Sequence, residues 1–166
     1  NHEYRTGRAE ELKELHAGRG AVVLEGTCAL VTVGEQTLQI CGVDDPAVGA
    51  AVWQSQLEDV TVALEGDVCS ILISHRPERV ADYTGRGFDL VLSGHAHGGQ
   101  WRIPLLGVGL IAPNQGLFPR YAGGTYDLEG TTLVVSRGLA RESTRIPRLY
   151  NPPEVVVVDL VPETKK

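Results

Sequence analysis

Asp89-Leu90-Val91-Leu92-Ser93-Gly94-His95-Ala96-His97-Gly98-Gly99-Gln100 is the stretch whose reading decides the fold. An apolar run of strand length enters a glycine-bracketed turn that carries two histidines at i and i+2. A short apolar run bounded by turn residues reads as a strand buried on both faces. In open α/β sheets, chemistry gathers beyond the C-terminal ends of such strands. Imidazole is the commonest metal-binding side chain. The pattern predicts an α/β fold that delivers two imidazoles to a strand mouth, and a metal-binding pair there points to hydrolysis.

The same arrangement occurs earlier in the chain. Residues 70–74 read as a buried strand followed at once by His75-Arg76-Pro77-Glu78. A short helix is expected over 77–83, because proline suits a first helical turn. Upstream, residues 8–16 are rich in helix formers, with Leu12 and Leu15 on one face and Gly18 and Gly20 ending the segment. Residues 21–24 suggest a short apolar strand. Residues 30–33 and 37–43 suggest a hairpin across Gly34-Glu35-Gln36. Asp44-Asp45-Pro46 reads as a turn, and 47–64 as a helix with its core around Trp53 and Leu57. Downstream, the Gly- and Pro-rich residues 104–125 suggest a long functional or capping loop. Three strands are expected at 124–128, 131–136 and 154–161, the first two joined at Glu129-Gly130. The tail Glu163-Thr164-Lys165-Lys166 is expected to fray.

The 166 residues fit one domain with ample chain for a core. A net charge of -6 argues against a nucleic-acid-binding surface. Cys28, Cys41 and Cys69 lack metal-type spacing and suggest buried thiols rather than a disulfide framework. No apolar run has transmembrane length, and no signal-peptide pattern is visible. The chain contains no methionine and opens on Asn1. A further N-terminal segment of the same domain is therefore expected, carried elsewhere or removed. Localisation stays open between the cytoplasm and the cell envelope.

Four histidines, His2, His75, His95 and His97, sit in turn-like contexts, while His16 lies on a surface helix. A lone histidine is more often a surface or core residue with a satisfied hydrogen bond. Histidines after each of two buried strands, beside glycines that let backbone approach a ligand, favour a site. Histidine, asparagine and carboxylate donors suit Mn, Fe or Zn. With no cysteine nearby, a structural zinc knot is not expected. Arg137 could reach a substrate phosphate through its planar fork of donors, or salt-bridge at the surface. The same alternatives hold for Arg76. Tyr121 and Tyr126 read as packing residues. Taken by themselves, Asn1 and Glu3 read as disordered terminal residues.

Asn1-His2-Glu3, then Ser74-His75, then Gly94-His95-Ala96-His97 resemble, in order and rough spacing, the later motifs of the calcineurin-like metallophosphoesterase superfamily. The strings ILISHRPE and DLVLSGHAHGGQ are especially similar to a bacterial branch. So are Tyr121-Ala122-Gly123-Gly124-Thr125-Tyr126, VSRGL and RLYNPPE. The resemblance covers nearly the whole chain. It implies that residues 1–166 are the C-terminal portion of a single domain, part of a four-layer α/β/β/α sandwich lacking its first strands. It implies two divalent metal ions, with Asn1, His75 and His95 ligating one and His97 the other. His2 would stand beside them as a proton donor or transition-state stabiliser, oriented by Glu3. The expected reaction is phosphodiester or phosphomonoester hydrolysis on a small-molecule or lipid substrate. Two ions about 3.5–4 Å apart suit that chemistry, and a histidine held by a carboxylate suits protonation of the leaving oxygen.

The superfamily's two earlier motifs, Asp-x-His and Gly-Asp-x-x-Asp, do not occur in the chain. Gly66-Asp67-Val68-Cys69-Ser70 has serine at the second carboxylate position and lies in the wrong order. One expected site keeps three ligands and the other keeps one, whereas a catalytic ion usually needs about three protein ligands. The enzyme is therefore expected to be inactive without the N-terminal segment. Two other readings compete. One is a catalytically inactive remnant that acts as a binding module or holds a single metal. The other is a mononuclear hydrolase of unrelated fold, which the shortage of carboxylates near the histidines disfavours.

Overall fold

The computed structural model describes residues 1–139 and 147–161. The chain starts with helix α1 (His2–Thr6) and helix α2 (Ala9–Ala17). Strands β1 (Thr27–Val33) and β2 (Gln36–Gly42) form the expected hairpin, with Val33 opposite Gln36 and a two-residue loop at Gly34-Glu35. Gly34 takes a positive φ of 62°, as such tight hairpin loops require. A 3-10 turn (Pro46–Val48) leads into α3 (Ala50–Val62). Strand β3 (Cys69–Ile73), a 3-10 turn (Pro77–Arg79), α4 (Val80–Tyr83) and β4 (Leu90–Ser93) follow. A short ladder, β5 (Ile111–Ala112) with β6 (Gly116–Leu117), interrupts the loop region. Strands β7 (Gly124–Leu128) and β8 (Thr131–Val135) turn at Glu129-Gly130, both at positive φ.

Six strands make one sheet in the order β1-β2-β3-β4-β8-β7. The central pairings β2–β3, β3–β4 and β4–β8 are parallel, and the two edge pairings are antiparallel. The parallel centre follows from sequence: Ser70-Ile71-Leu72 and Leu90-Val91 are unbroken apolar or small residues, almost all buried. Side chains alternate across the sheet. Leu72, Val91, Leu133 and Val135 face α3 and α4, where Trp53, Leu57, Val60, Tyr83 and Phe88 complete the main core. Full burial of each such large apolar side chain contributes about 1.5–3 kcal/mol. Ile71, Leu90, Leu92 and Val134 point to the other face and form a smaller cluster.

Three sequence expectations change. Residues 21–24 form no strand; Leu24 packs over Gly42, where an added Cβ would come within 2.6 Å of the leucine, and Val22 is exposed. Residues 154–161 join no ladder among the described residues. Val155 to Val158 instead border two open grooves along the second sheet face, beside Leu90, Leu92 and Val134. Cys28 and Cys41 are joined in a disulfide, with Cα atoms 4.0 Å apart. Thirteen positions apart in sequence, they lie directly opposite in the β1–β2 register, which spacing alone does not reveal. Besides the six-stranded sheet, the described residues form the two-stranded β5–β6 sheet. The fraying expected at 163–166 lies outside them.

No helix among the described residues is long and apolar enough to cross a membrane. Cys69 is the free thiol among them, and burial, followed by the neighbouring Asp89 charge, raises its pKa. Alkylation of the denatured, unreduced protein should therefore add one label, and alkylation after reduction three. Mass spectrometry checks this; three labels without reductant would contradict the pairing.

Candidate metal centre

The two histidine-bearing turns meet because β3 and β4 are parallel neighbours whose C-terminal ends lie side by side. Ser93 Oγ donates to Ser74 O at 2.7 Å, and Ser74 N donates to Leu92 O at 3.1 Å, so the strand ends are tied in register. His75 and His95 follow directly. Their ring centroids stand 5.0 Å apart, edge to face. His95 is buried. His75 keeps one side open to solvent. The protein crowded around its ring, and then the neighbouring His95, push its pKa down to about 4. A neutral imidazole is the form that can ligate a metal.

Asn1 is drawn to the same place. Its side chain is 4 % exposed and makes no capping hydrogen bond to α1. Its backbone nitrogen lies 4.0 Å from Asp45 Oδ2. Asp45 in turn grips Arg76, the residue after His75. Arg76 Nε donates to Oδ2 at 2.8 Å and Arg76 Nη2 to Oδ1 at 2.7 Å, with both side chains largely buried. Oδ1 also accepts from Ala47 N at 2.8 Å, which caps the 3-10 turn. Arg76 thus takes the salt-bridging alternative. The helix bearing Asn1 is anchored a second time by Lys13, which donates to Tyr4 OH at 2.8 Å and pairs with Asp44 at 3.1 Å.

His97 sits two residues beyond His95 on the same turn. Burial lowers its pKa, and the charges of Arg148, His95 and His2 add to the effect. His2 therefore lies within electrostatic reach of His97 from the exposed face of α1. Glu3 points to solvent with its side chain about half exposed. Its carboxylate is lowered first by its own backbone N–H, against a smaller burial cost and with His2 adding. No hydrogen bond joins Glu3 to His2 among the described residues.

The turn carrying His95 and His97 is held in an unusual conformation. His95, His97 and Gln100 have φ of 60°, 51° and 48°, a region non-glycine residues seldom occupy. Gly98 and Gly99 make it possible. A Cβ on Gly98 would fall 2.4 Å from Asn151 Oδ1, and one on Gly99 would fall 2.5 Å from Gly109 Cα. Asn151 is buried and donates through Nδ2 to His97 O at 2.6 Å and Gln100 O at 3.2 Å. His95 Nε2 lies 2.9 Å from Asn114 Oδ1, on the β5–β6 turn. Arg137 packs its stem on Gly98 and Gly123 and donates through Nη2 to Glu154 Oε1 at 2.9 Å. Tyr121 and Tyr126 pack edge to face, as expected of packing residues.

Asn114, Asn151 and Arg148 are site-building residues that sequence reasoning missed. Arg148 donates to the carbonyls of Gly138 and Arg137. All three lie in regions without strand or helix periodicity, and their partners are distant in sequence. The two neighbouring imidazoles are donors of the kind Mn, Fe or Zn accept. That donor chemistry fits a divalent ion at this mouth. Among the described residues no group of three or more His, Cys, Asp and Glu side chains is arranged to hold a metal.

Two consequences are measurable. Asp45→Ala leaves the Arg76 charge without its main partner and should cost about 3–5 kcal/mol in urea unfolding. The Arg137 guanidinium, against a smaller burial cost and with the Arg137 backbone N–H adding, holds the Glu154 carboxyl below the usual carboxylate range. A depressed folded pKa means the pair stabilises above the free-glutamate value of about 4.3 and stops doing so as pH falls through the folded value. Glu154→Gln should therefore be less stable than wild type at neutral pH and equal to it in strong acid.

Comparison with known proteins supplies the family. The chain is 32% identical over 145 residues to an uncharacterized metallophosphoesterase, YkuE, of Bacillus subtilis, covering 87% of this chain and 48% of the relative. It is 33% identical over 162 residues to the uncharacterized metallophosphoesterase Cj0846 of Campylobacter jejuni, covering 96% of this chain and 40% of that protein. It is 28% identical over 142 residues to the phosphodiesterase YaeI of Escherichia coli, covering 86% and 48%. The chain spans about half the length, or less, of these relatives. No family model and no solved structure matches it. With the histidine turns and the mixed α/β sheet behind it, this similarity identifies the chain as belonging to the calcineurin-like metallophosphoesterase superfamily.

Proposed function

We propose that this chain supplies one part of a metal-dependent phosphoesterase centre. The observation that carries the proposal is the meeting of His75 and His95, rings 5.0 Å apart, beyond adjacent parallel strands. Asn1, His75 and His95 would hold one divalent ion, Mn, Fe or Zn. His97 would serve a second ion whose remaining ligands lie outside this chain, in an N-terminal segment of the same domain. When bound, such ions supply Lewis-acid charge and a water acidified toward neutral pH.

The chain's own residues do the rest. His2, on the exposed face of α1 and within electrostatic reach of His97, would donate a proton to the leaving oxygen. Glu3 would orient that histidine once a substrate draws it in. Arg137 would lend positive charge to a phosphate while still gripping Glu154. The relative named a phosphodiesterase favours a phosphodiester, small-molecule or lipid-linked, over a monoester. The competing reading, an inactive remnant that binds a partner or one metal, draws on the lack of a three-residue His, Cys, Asp and Glu cluster among the described residues.

The test is hydrolysis of bis(p-nitrophenyl) phosphate by the full-length protein with Mn²⁺. Activity should be metal-dependent and abolished in His75→Ala together with metal binding. His2→Ala should lose about 10²–10⁴-fold in kcat while keeping its metal, as expected for loss of a general acid. A full-length protein that takes up no ion and hydrolyses nothing would favour the remnant.

A further inference from the structure

We infer that Asn114 is the positioning residue that sets which nitrogen of His95 is free to bind a ligand. The inference rests on the metal-centre reading of His95 and adds a residue to it. His95 is 5 % exposed, so its ring has few routes to solvent. Its Nε2 lies 2.9 Å from Asn114 Oδ1. A carboxamide oxygen only accepts. The contact therefore requires hydrogen on Nε2 and leaves Nδ1 as the bare, lone-pair-bearing nitrogen. In the neutral ring only one nitrogen can carry the hydrogen, so fixing one fixes the other.

The geometry around Asn114 suits this task. It sits at φ 61° on the turn between β5 and β6, a conformation that asparagine tolerates better than most residues. That turn is itself locked. Gln115 donates through Nε2 to Tyr121 O at 3.0 Å and accepts from Tyr121 N at 2.9 Å. The β5 strand is tied back to the histidine turn, because Leu110 N donates to Gly99 O at 3.1 Å. The acceptor and the imidazole are thus held by one connected frame. Metal-bound histidines typically donate their second ring N–H to a carbonyl or carboxylate, which fixes tautomer and orientation. Asn114 gives the long loop at 104–125 a specific task beyond covering the site.

Two substitutions separate this role from a merely structural one. Asn114→Gly removes the acceptor while keeping a residue at home at positive φ. Asn114→Asp keeps an oxygen at the same place and also tolerates that conformation. In the metal-free, full-length protein, ¹⁵N NMR of the histidine rings should show His95 protonated on Nε2 in wild type and in Asn114→Asp. Asn114→Gly should show a mixture of tautomers with an unchanged fold. Mn²⁺ titration should give about 10–100-fold weaker binding for Asn114→Gly and near wild-type binding for Asn114→Asp. A bare Nε2 in wild type, or an Asn114→Gly protein with the wild-type tautomer and affinity, would overturn the inference. Failure of wild type to bind Mn²⁺ would count against the phosphoesterase reading instead, since the tautomer is read without metal.

Discussion

One carboxylate, that of Asp45, holds the candidate site together. It accepts two charge-assisted hydrogen bonds from Arg76, one from the backbone of Ala47, and stands 4.0 Å from the nitrogen of Asn1. Two segments remote in sequence, the turn before α3 and the turn after β3, are therefore clamped through two oxygen atoms, with the start of the first helix beside them. Each bond to an ionised partner is roughly twice as strong as a neutral one. Because the pair is largely buried, neither partner can fall back on water without loss. The position of His75 is a consequence of this clamp as much as of the strand that leads to it.

The second histidine turn is governed by backbone shape. His95 and His97 both adopt left-handed φ, which costs free energy for residues with a Cβ. Such conformations persist when the surroundings over-determine them. Here they do: Asn151 clasps two carbonyls of the turn, Arg102 donates to Gly98 O at 3.1 Å, and Gly99 meets Gly109 backbone to backbone. The glycines that read as a ligand-friendly loop serve first to let polypeptide segments touch.

Much of this could be read in advance, and the reasons for the exceptions are physical. Strands β3 and β4 announced themselves because a strand buried on both faces leaves an unbroken apolar run. Their histidines were legible because they punctuate those runs. The β7–β8 turn was legible from Glu129-Gly130, since few dipeptides accept two positive φ values. The Cys28–Cys41 pair was not, because register between strands is a tertiary outcome. Asn114 and Asn151 reach partners 19 and 54 residues away, beyond any local pattern. Residues 21–24 and 154–161 have strand composition, yet composition alone supplies no ladder partner.

That last segment bears on how the chain behaves among its own copies. Glu154-Val155-Val156-Val157-Val158-Asp159-Leu160-Val161 is rich in β-branched residues and belongs to no strand among the described residues. Val155, Val157 and Val161 are 73 %, 79 % and 80 % exposed. Glu154 N donates to Gly138 O at 3.1 Å, and the rest of the run joins no ladder among the described residues; exposed β-branched runs of this kind favour strand addition. Asp159 is the gatekeeper within the run, placing like charge wherever identical segments would stack in register. That single carboxylate thus sets a colloidal limit, penalising the segment's repetition among copies of the chain.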